Sequence, residues 1–291
     1  MGLFLYNYKN MTWFYFVILS ITAGSIANLL NKVLMKDDKS DPMLSSIFFQ
    51  FLLAFFFFFL SLIKGFVMPP IFIYPLNFIL NGFLYGLGTF FTFKALKYIE
   101  VSEYGIIYSF GSIVTVISST FFLKESFNLS KSLGLLLIII SIIAVSKTKK
   151  FKINKGVWYA LGTAVFYGLA ITNDSFLIKR SDTFSYLSII SFLPGLVLFL
   201  ISPKSIKKIN YYFNLENFFK LLIFSIFYTI ASIGFYLAIV NGGQTSQVGS
   251  ISKSQIILTT ILAAVFLGER DRLWQKIIYG VLVIIGVILI K

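Results

Sequence analysis

Lys253 lies in GSISKSQIILTT (249–260), and the apolar run continues through ILAAVFLG. Counted from Thr245, it is about nine residues into a stretch long enough to cross a bilayer, about 13 Å deep at 1.5 Å per residue. A charge at that depth costs about 3 kcal/mol on insertion scales. Snorkelling rescues lysines near helix ends, and this one is too deep for it. Lys253 is therefore expected to face a hydrated cavity, an acidic partner or a bound anion. Ser246, Gly249, Ser250 and Thr260 share its stripe, and all are small or polar. The competing reading is an ion pair with Glu103 or Asp174 that only fixes helix packing.

Other ionisable groups fall in apolar segments. Asp174 follows Asn173 in FYGLAITNDSFLIK. An acid there can carry a coupling proton, or it can pair with a lysine and do nothing else. Lys32 shares a face with Asn28 and could guard an entrance. Lys94 is close enough to a helix end to snorkel. Glu125 and Glu269 stand in turns and are expected to cap the helices that follow them. There is no cysteine and no histidine. Disulfides, thiol chemistry, haem axial histidines and the usual zinc sites are thereby removed. With 11 acidic residues, mostly at segment ends, a carboxylate metal cage is not expected, and neither is a cofactor. No paired acids share a face, so no acid–base set for an enzyme is visible.

The elements that must position these residues are membrane helices. Hydrophobic residues make up 58% of the 291 and charged residues 12%, more apolar surface than a water-soluble exterior allows. Apolar stretches of spanning length recur about ten times: Thr12–Met35, Leu44–Lys64, Asn77–Tyr98, Val101–Leu123, Leu129–Lys147, Gly156–Lys179, Phe184–Ser202, Phe218–Val240, Thr245–Leu267 and Trp274–Ile290. The longest polar connections, KTKKFKINKG and SPKSIKKINYYFNLEN, are too short for a soluble domain. The first residues, MGLFLYNYKNMTWFYFVILS, lack a small-residue cleavage site and run on into a full span, unlike a signal peptide. The net charge of +14 is spread over helix ends, as in LIKG, SKTKK and LIKR. That is the flanking pattern of a membrane protein, not the gathered basic face of a nucleic-acid binder.

The chain repeats. FFLKESFNLSKSLGLLLIIISIIAVSK (121–147) parallels VFLGERDRLWQKIIYGVLVIIGVILIK (265–291), and FKALKYIEVSEYG (93–105) parallels FYLAIVNGGQTSQVG (235–249). Each FL-x-E turn is followed by a leucine four residues on and then an aliphatic helix containing glycine. The expected fold is an all-α integral membrane protein of about ten transmembrane helices. It divides into a five-helix repeat at 1–147, a basic linker at 148–156 and a second repeat at 157–291. An odd number of helices repeated in tandem enters the membrane from opposite sides, so the repeat is inverted, with polar sites near the midplane.

The L-x-E turns at Leu123–Glu125 and Leu267–Glu269, the glycines Gly134 and Gly280 after them, and the FKALKY end of the third helix carry a resemblance. In their duplicated order they resemble the drug/metabolite transporter superfamily, in particular its EamA-type ten-helix members. The resemblance covers nearly the whole chain. That family often has a proline in the fourth helix of each half, near where Ser109 and Lys253 stand here.

Helical spacing sorts the faces. One stripe of the fourth helix carries Tyr104, Tyr108, Gly111, Thr115, Ser118 and Ser119. The eighth carries Ser225, Tyr228, Thr229, Ser232 and Tyr236. The third offers Asn81, Tyr85, Gly88 and Thr92, and the first offers Ser25, Asn28, Asn31 and Lys32. The sixth offers Tyr159, Thr163, Tyr167 and Asp174. Small residues also serve packing, as in Gly82-xxx-Gly86. Tyrosines and amides on the same stripes favour a cavity. The fifth helix of each half, with no polar stripe, should be peripheral, and the resemblance implies the same division.

These readings lead to a secondary transporter of a small polar metabolite, leaning to an anionic or amino-acid-like substrate. Lys253, Ser250, Ser246, Tyr104, Tyr108, Asn28, Asn31, Tyr85, Tyr228 and Tyr236 would bind it. Asp174 and Glu103 would be coupling or ion-pair groups, with a proton or counter-substrate as partner. The alternative is a flippase of a phospholipid or polyprenyl-phosphate head group. The setting would be a prokaryotic plasma membrane, with the protein as monomer or homodimer. The Lys/Arg bias places the linker in the cytoplasm and both termini outside; the resemblance implies the reverse.

Overall fold

The computed structural model describes residues 2–122, 124, 128–146, 154–241, 248 and 251–290. The first repeat comprises α1 (Gly2–Lys36), α2 (Pro42–Lys64), α3 (Pro75–Tyr98), α4 (Val101–Tyr108), α5 (Phe110–Phe122) and α6 (Leu129–Ser146). The second comprises α7 (Lys155–Leu177), α8 (Thr183–Ile201), the short α9 (Asn210–Phe213), α10 (Leu215–Val240), α11 (Gln255–Leu262) and α12 (Leu273–Leu289). Six of the helical rods are long and apolar enough to cross a membrane, and three shorter apolar helices accompany them. With α7 they make up, among the described residues, the ten expected.

Local chemistry sets the helix ends. Asp41 accepts from the N–H groups of Met43 and Leu44 at 2.9 and 3.0 Å, and Pro42 fills the first helical position of α2. Asn154, Asp182 and Asn214 cap α7, α8 and α10 in the same way. The outer faces carry large apolar side chains in the open, such as Phe72 at 87% and Leu76 at 78% exposure. In water these would be a liability; in lipid they are the solvent-facing surface.

Helix pairing displays the inverted repeat. α1 packs along α10, and α7 packs along α3. Each is the first helix of one repeat against the third of the other. α2 lies on α8, α6 on α12 and α4 on α11, each helix against its own counterpart. Such reciprocal pairing is what a two-fold axis in the membrane plane produces. At the α6–α12 crossing, Gly134 and Gly286 face each other; a Cβ on Gly286 would meet the Gly134 carbonyl oxygen at 2.7 Å.

Candidate functional site

The fourth helix of each repeat is broken midway. α4 stops at Tyr108 and α5 resumes at Phe110. In the other repeat, Lys253 and Ser254 form a turn ahead of α11. A serine hydroxyl sits at each break. Ser109 Oγ donates to the Ile106 carbonyl at 2.5 Å, and Ser254 Oγ donates to the Ile251 carbonyl at 2.7 Å. The backbone N–H groups of both serines bond those same carbonyls, three residues back. Tight i→i−3 turns thus replace the helical ladder at both breaks.

Between the repeats lies a cavity of about 900 Å³. Its wall runs from Asn31 and Val101, near the side that holds the linker, to Ser119, Lys131, Ser175 and Ile290, near the side that holds the termini. Both breaks border it, through Ser109, Gly111 and Ser112 on one side and Ser252, Lys253 and Gln255 on the other. The start of a second half-helix therefore meets the cavity at each break. Helix N-termini favour anions. Phe49, Phe93 and Phe224 form an apolar floor, with Phe49 and Phe224 stacked at 4.5 Å.

Six of the predicted site residues meet here with Lys253: Asn28, Asn31, Tyr104, Tyr108, Tyr228 and Tyr236. The Tyr104 and Tyr108 rings stack 5.7 Å apart and 5° from parallel. Lys253 Nζ lies 5.3 Å from the Tyr108 centroid, in range of a cation–π attraction. Among the described residues it forms no ion pair. The alternative pairing with Glu103 or Asp174 is therefore not made. Three buried polar atoms of the lining also lack a hydrogen-bond partner among the described residues: Asn31 Oδ1, Ser252 Oγ and Thr259 Oγ1. Ser246 and Ser250 lie outside the described residues.

Other predicted groups stand apart from the cavity. Tyr85 is behind its wall and donates its hydroxyl to Asp174 Oδ2. Asp174 Oδ1 accepts from Asn81 Nδ2 at 2.8 Å and from the Tyr186 hydroxyl. Tyr85, expected to bind substrate, and Asp174, expected to couple or pair, share helix faces with lining residues, but both turn toward the α3–α7–α8 junction. Glu103 is in the first turn of α4, off the cavity wall. Lys94 lies over the Phe90 and Tyr159 rings, at 5.3 and 5.2 Å.

Lys32 and Glu269 correct two further expectations. Lys32 does not face an entrance: it donates to the Leu96 and Ile99 carbonyls, both at 2.6 Å, and ties α1 to the end of α3. Glu269 does not cap the helix that follows it. It accepts from Val101 N–H at 3.3 Å, Ser102 N–H at 3.5 Å and Ser102 Oγ at 3.2 Å, capping α4 of the opposite repeat. Lys276 pairs with Glu100 beside it. The Glu269 and Lys276 contacts join the two repeats toward the linker side. Glu125, the counterpart of Glu269, lies outside the described residues.

The fifth helices are peripheral along most of their length, yet Lys131 of α6 and Val287 of α12 reach the cavity wall. Sequence reasoning missed Gln255, whose side chain covers Gly24 and leaves no room there for a Cβ. A polar residue two positions after Lys253 was the available signal.

The profile of the EamA-like transporter family matches residues 9–147 and, a second time, residues 154–291. No curated protein matches the chain. A solved structure described as the crystal structure of a protein is similar over 97% of this chain and 96% of its own. It has a TM-score of 0.61 and 16% identity, a likeness of fold alone.

Proposed function

Since the chain belongs to the EamA-like transporter family, we propose that it is a secondary transporter of a small metabolite bearing a carboxylate or phosphate. Transport proceeds by alternating access of the two repeats around the cavity. The observation that carries this reading is Lys253: a cation at the cavity wall, resting on a tyrosine ring and without an ion pair among the described residues. The half-helix starts at the two breaks add to the positive potential. Tyr104, Tyr108, Tyr228 and Tyr236 offer flat apolar faces with hydroxyl edges, which suit an amino-acid-like or aromatic body. The unpaired Asn31, Ser252 and Thr259 atoms supply further hydrogen bonds. Ser246 and Ser250 complete the proposed set. The reading places the protein in the plasma membrane of a prokaryote.

The test is a thermal-shift screen of detergent-purified protein with amino acids, organic acids, sugar phosphates and nucleotide sugars. A ligand at 100 times its Kd stabilises the folded state by about 2.7 kcal/mol. One anion class should raise the melting temperature of the wild type and leave Lys253→Ala unmoved. Stabilisation by a phospholipid head group alone would favour the flippase reading instead.

A further inference from the structure

The cluster behind the cavity wall has chemistry of its own. Asp174 is an acid in a bundle of membrane helices, and among the described residues no lysine or arginine pairs with it. Three neutral donors serve it instead: the Asn81 amide and the hydroxyls of Tyr85 and Tyr186. Asn81 and Tyr186 are both 0% exposed. A carboxylate with three hydrogen bonds is well served as an anion. Asn81 Oδ1 is buried and has no hydrogen-bond partner among the described residues. Half a turn of that amide exchanges Nδ2 for Oδ1, placing an acceptor against Asp174 Oδ1 at the 2.8 Å that Nδ2 now spans. A protonated Asp174 would donate its new O–H to that acceptor. The same turn gives up the 3.3 Å bond from Asn81 Nδ2 to the Tyr186 hydroxyl and leaves Oδ1 paired in its place.

We propose that Asp174, Asn81, Tyr85 and Tyr186 form a proton-binding site, and that its occupancy is coupled to the cavity. The proton adds to Asp174 Oδ1 from water, and no other bond is made or broken beyond the hydrogen bonds exchanged. The connection to the cavity runs through aromatic rings. Tyr85 packs on Tyr167 at 5.5 Å, and Tyr167 packs edge-on to Tyr108 at 6.0 Å. Tyr108 carries the Lys253 ammonium. A change of charge at Asp174 that shifts Tyr85 therefore reaches the residue proposed to hold the substrate. The ionisable groups facing Asp174 are Tyr85 from α3, Tyr186 from α8 and Tyr236 from α10. Arg180, further along the same strand of chain, is turned to the Phe176 ring at 4.1 Å and bonds its carbonyl.

The proton site stands independently of transport; only its coupling role rests on the transporter reading. The test is infrared difference spectroscopy of the purified protein, stepped through the pH range in which it stays folded. The wild type should show a carboxylic-acid C=O band that appears on acidification. Asp174→Asn should lack that band, and Tyr85→Phe should shift its frequency and its midpoint. A merely structural Asp174 would leave the band set unchanged in Tyr85→Phe. Identical titrating bands in the wild type and both variants would overturn the proposal, whatever the thermal-shift screen finds. If Asp174→Asn does not fold, Tyr85→Phe alone decides in the same way.

Discussion

Lys253 and Tyr108 come from the broken fourth helices of opposite repeats, and they meet with the ammonium nitrogen 5.3 Å from the ring centroid. The cation is held by a ring face and, among the described residues, not by a carboxylate. A ring face contributes about 0.5–2 kcal/mol, far less than the cost of desolvating an ammonium. Removing the charge should therefore not weaken the fold. Lys253→Met is expected to melt at or above the wild-type temperature while losing all ligand-induced stabilisation by anions. A marked drop in the unliganded melting temperature would mean that Lys253 is a structural group.

The α6–α12 crossing predicts a stability effect remote from the cavity floor. A Cβ at Gly286 would sit 2.7 Å from the Gly134 carbonyl oxygen and 2.9 Å from Ile138 Cγ1. The Gly134 carbonyl is backbone and the Ile138 side chain is fully buried, so neither gives way cheaply, and overpacking of this kind costs about 1–3 kcal/mol. Gly286→Val should lower the melting temperature, whereas Gly82→Ala, whose nearest contact is Leu193 Cβ at 3.3 Å, should be much milder. Paired melting curves of the two variants check this.

The duplicated FL-x-E turns made the repeat and its inversion legible, because they fix both register and helix count. The cavity stripe of the fourth helix was legible too, since tyrosines and small polar residues at helical spacing leave one wet face. The breaks were not. They depend on Ser109 and Ser254 turning their hydroxyls back onto carbonyls three residues behind, and a serine in a helix does this only in some contexts. The place of Tyr85 beside Asp174 was not legible either, because a stripe defines a face but not the neighbour it meets. Glu269 was assigned to the nearest helix in sequence; its actual partner is 168 residues away at Val101.

Asp41 predicts an acid-side loss of stability. Partial burial pushes its carboxyl up, but the Lys208 ammonium and the N–H groups of Leu44 and Met43 outweigh that and hold it below the usual range. A carboxyl whose pKa is lowered by folding contributes stability above its unfolded value. That contribution is lost as pH falls through the folded value. Asp41→Ala should cost about 1 kcal/mol as a lost helix cap and flatten the melting temperature at acid pH. Asp41→Asn should keep most of the cap while still removing the acid-side slope.

Glu269 predicts the opposite slope and a change in access. Burial, then the neighbouring Glu100 carboxylate, push it above the usual range, while Val101 N–H, the Lys32 ammonium and Ser102 N–H pull it back. A carboxyl whose pKa is raised by folding contributes stability below its unfolded value, and that contribution is lost as pH rises through the folded value. The wild type should therefore lose melting temperature as pH rises above the ordinary 4.5 toward that raised value. Glu269→Gln should remove the slope and keep an acceptor for α4. Glu269→Ala leaves the Val101 and Ser102 donors orphaned, which costs about 1–3 kcal/mol, or roughly 5–150-fold in the ratio of open to closed linker side. Because the chain has no cysteine, a single Asn31→Cys reports access directly. A membrane-impermeant maleimide applied from the linker side should label it faster in the Glu269→Ala background. Equal labelling rates would mean that the contact between Glu269 and α4 does not hold that side closed.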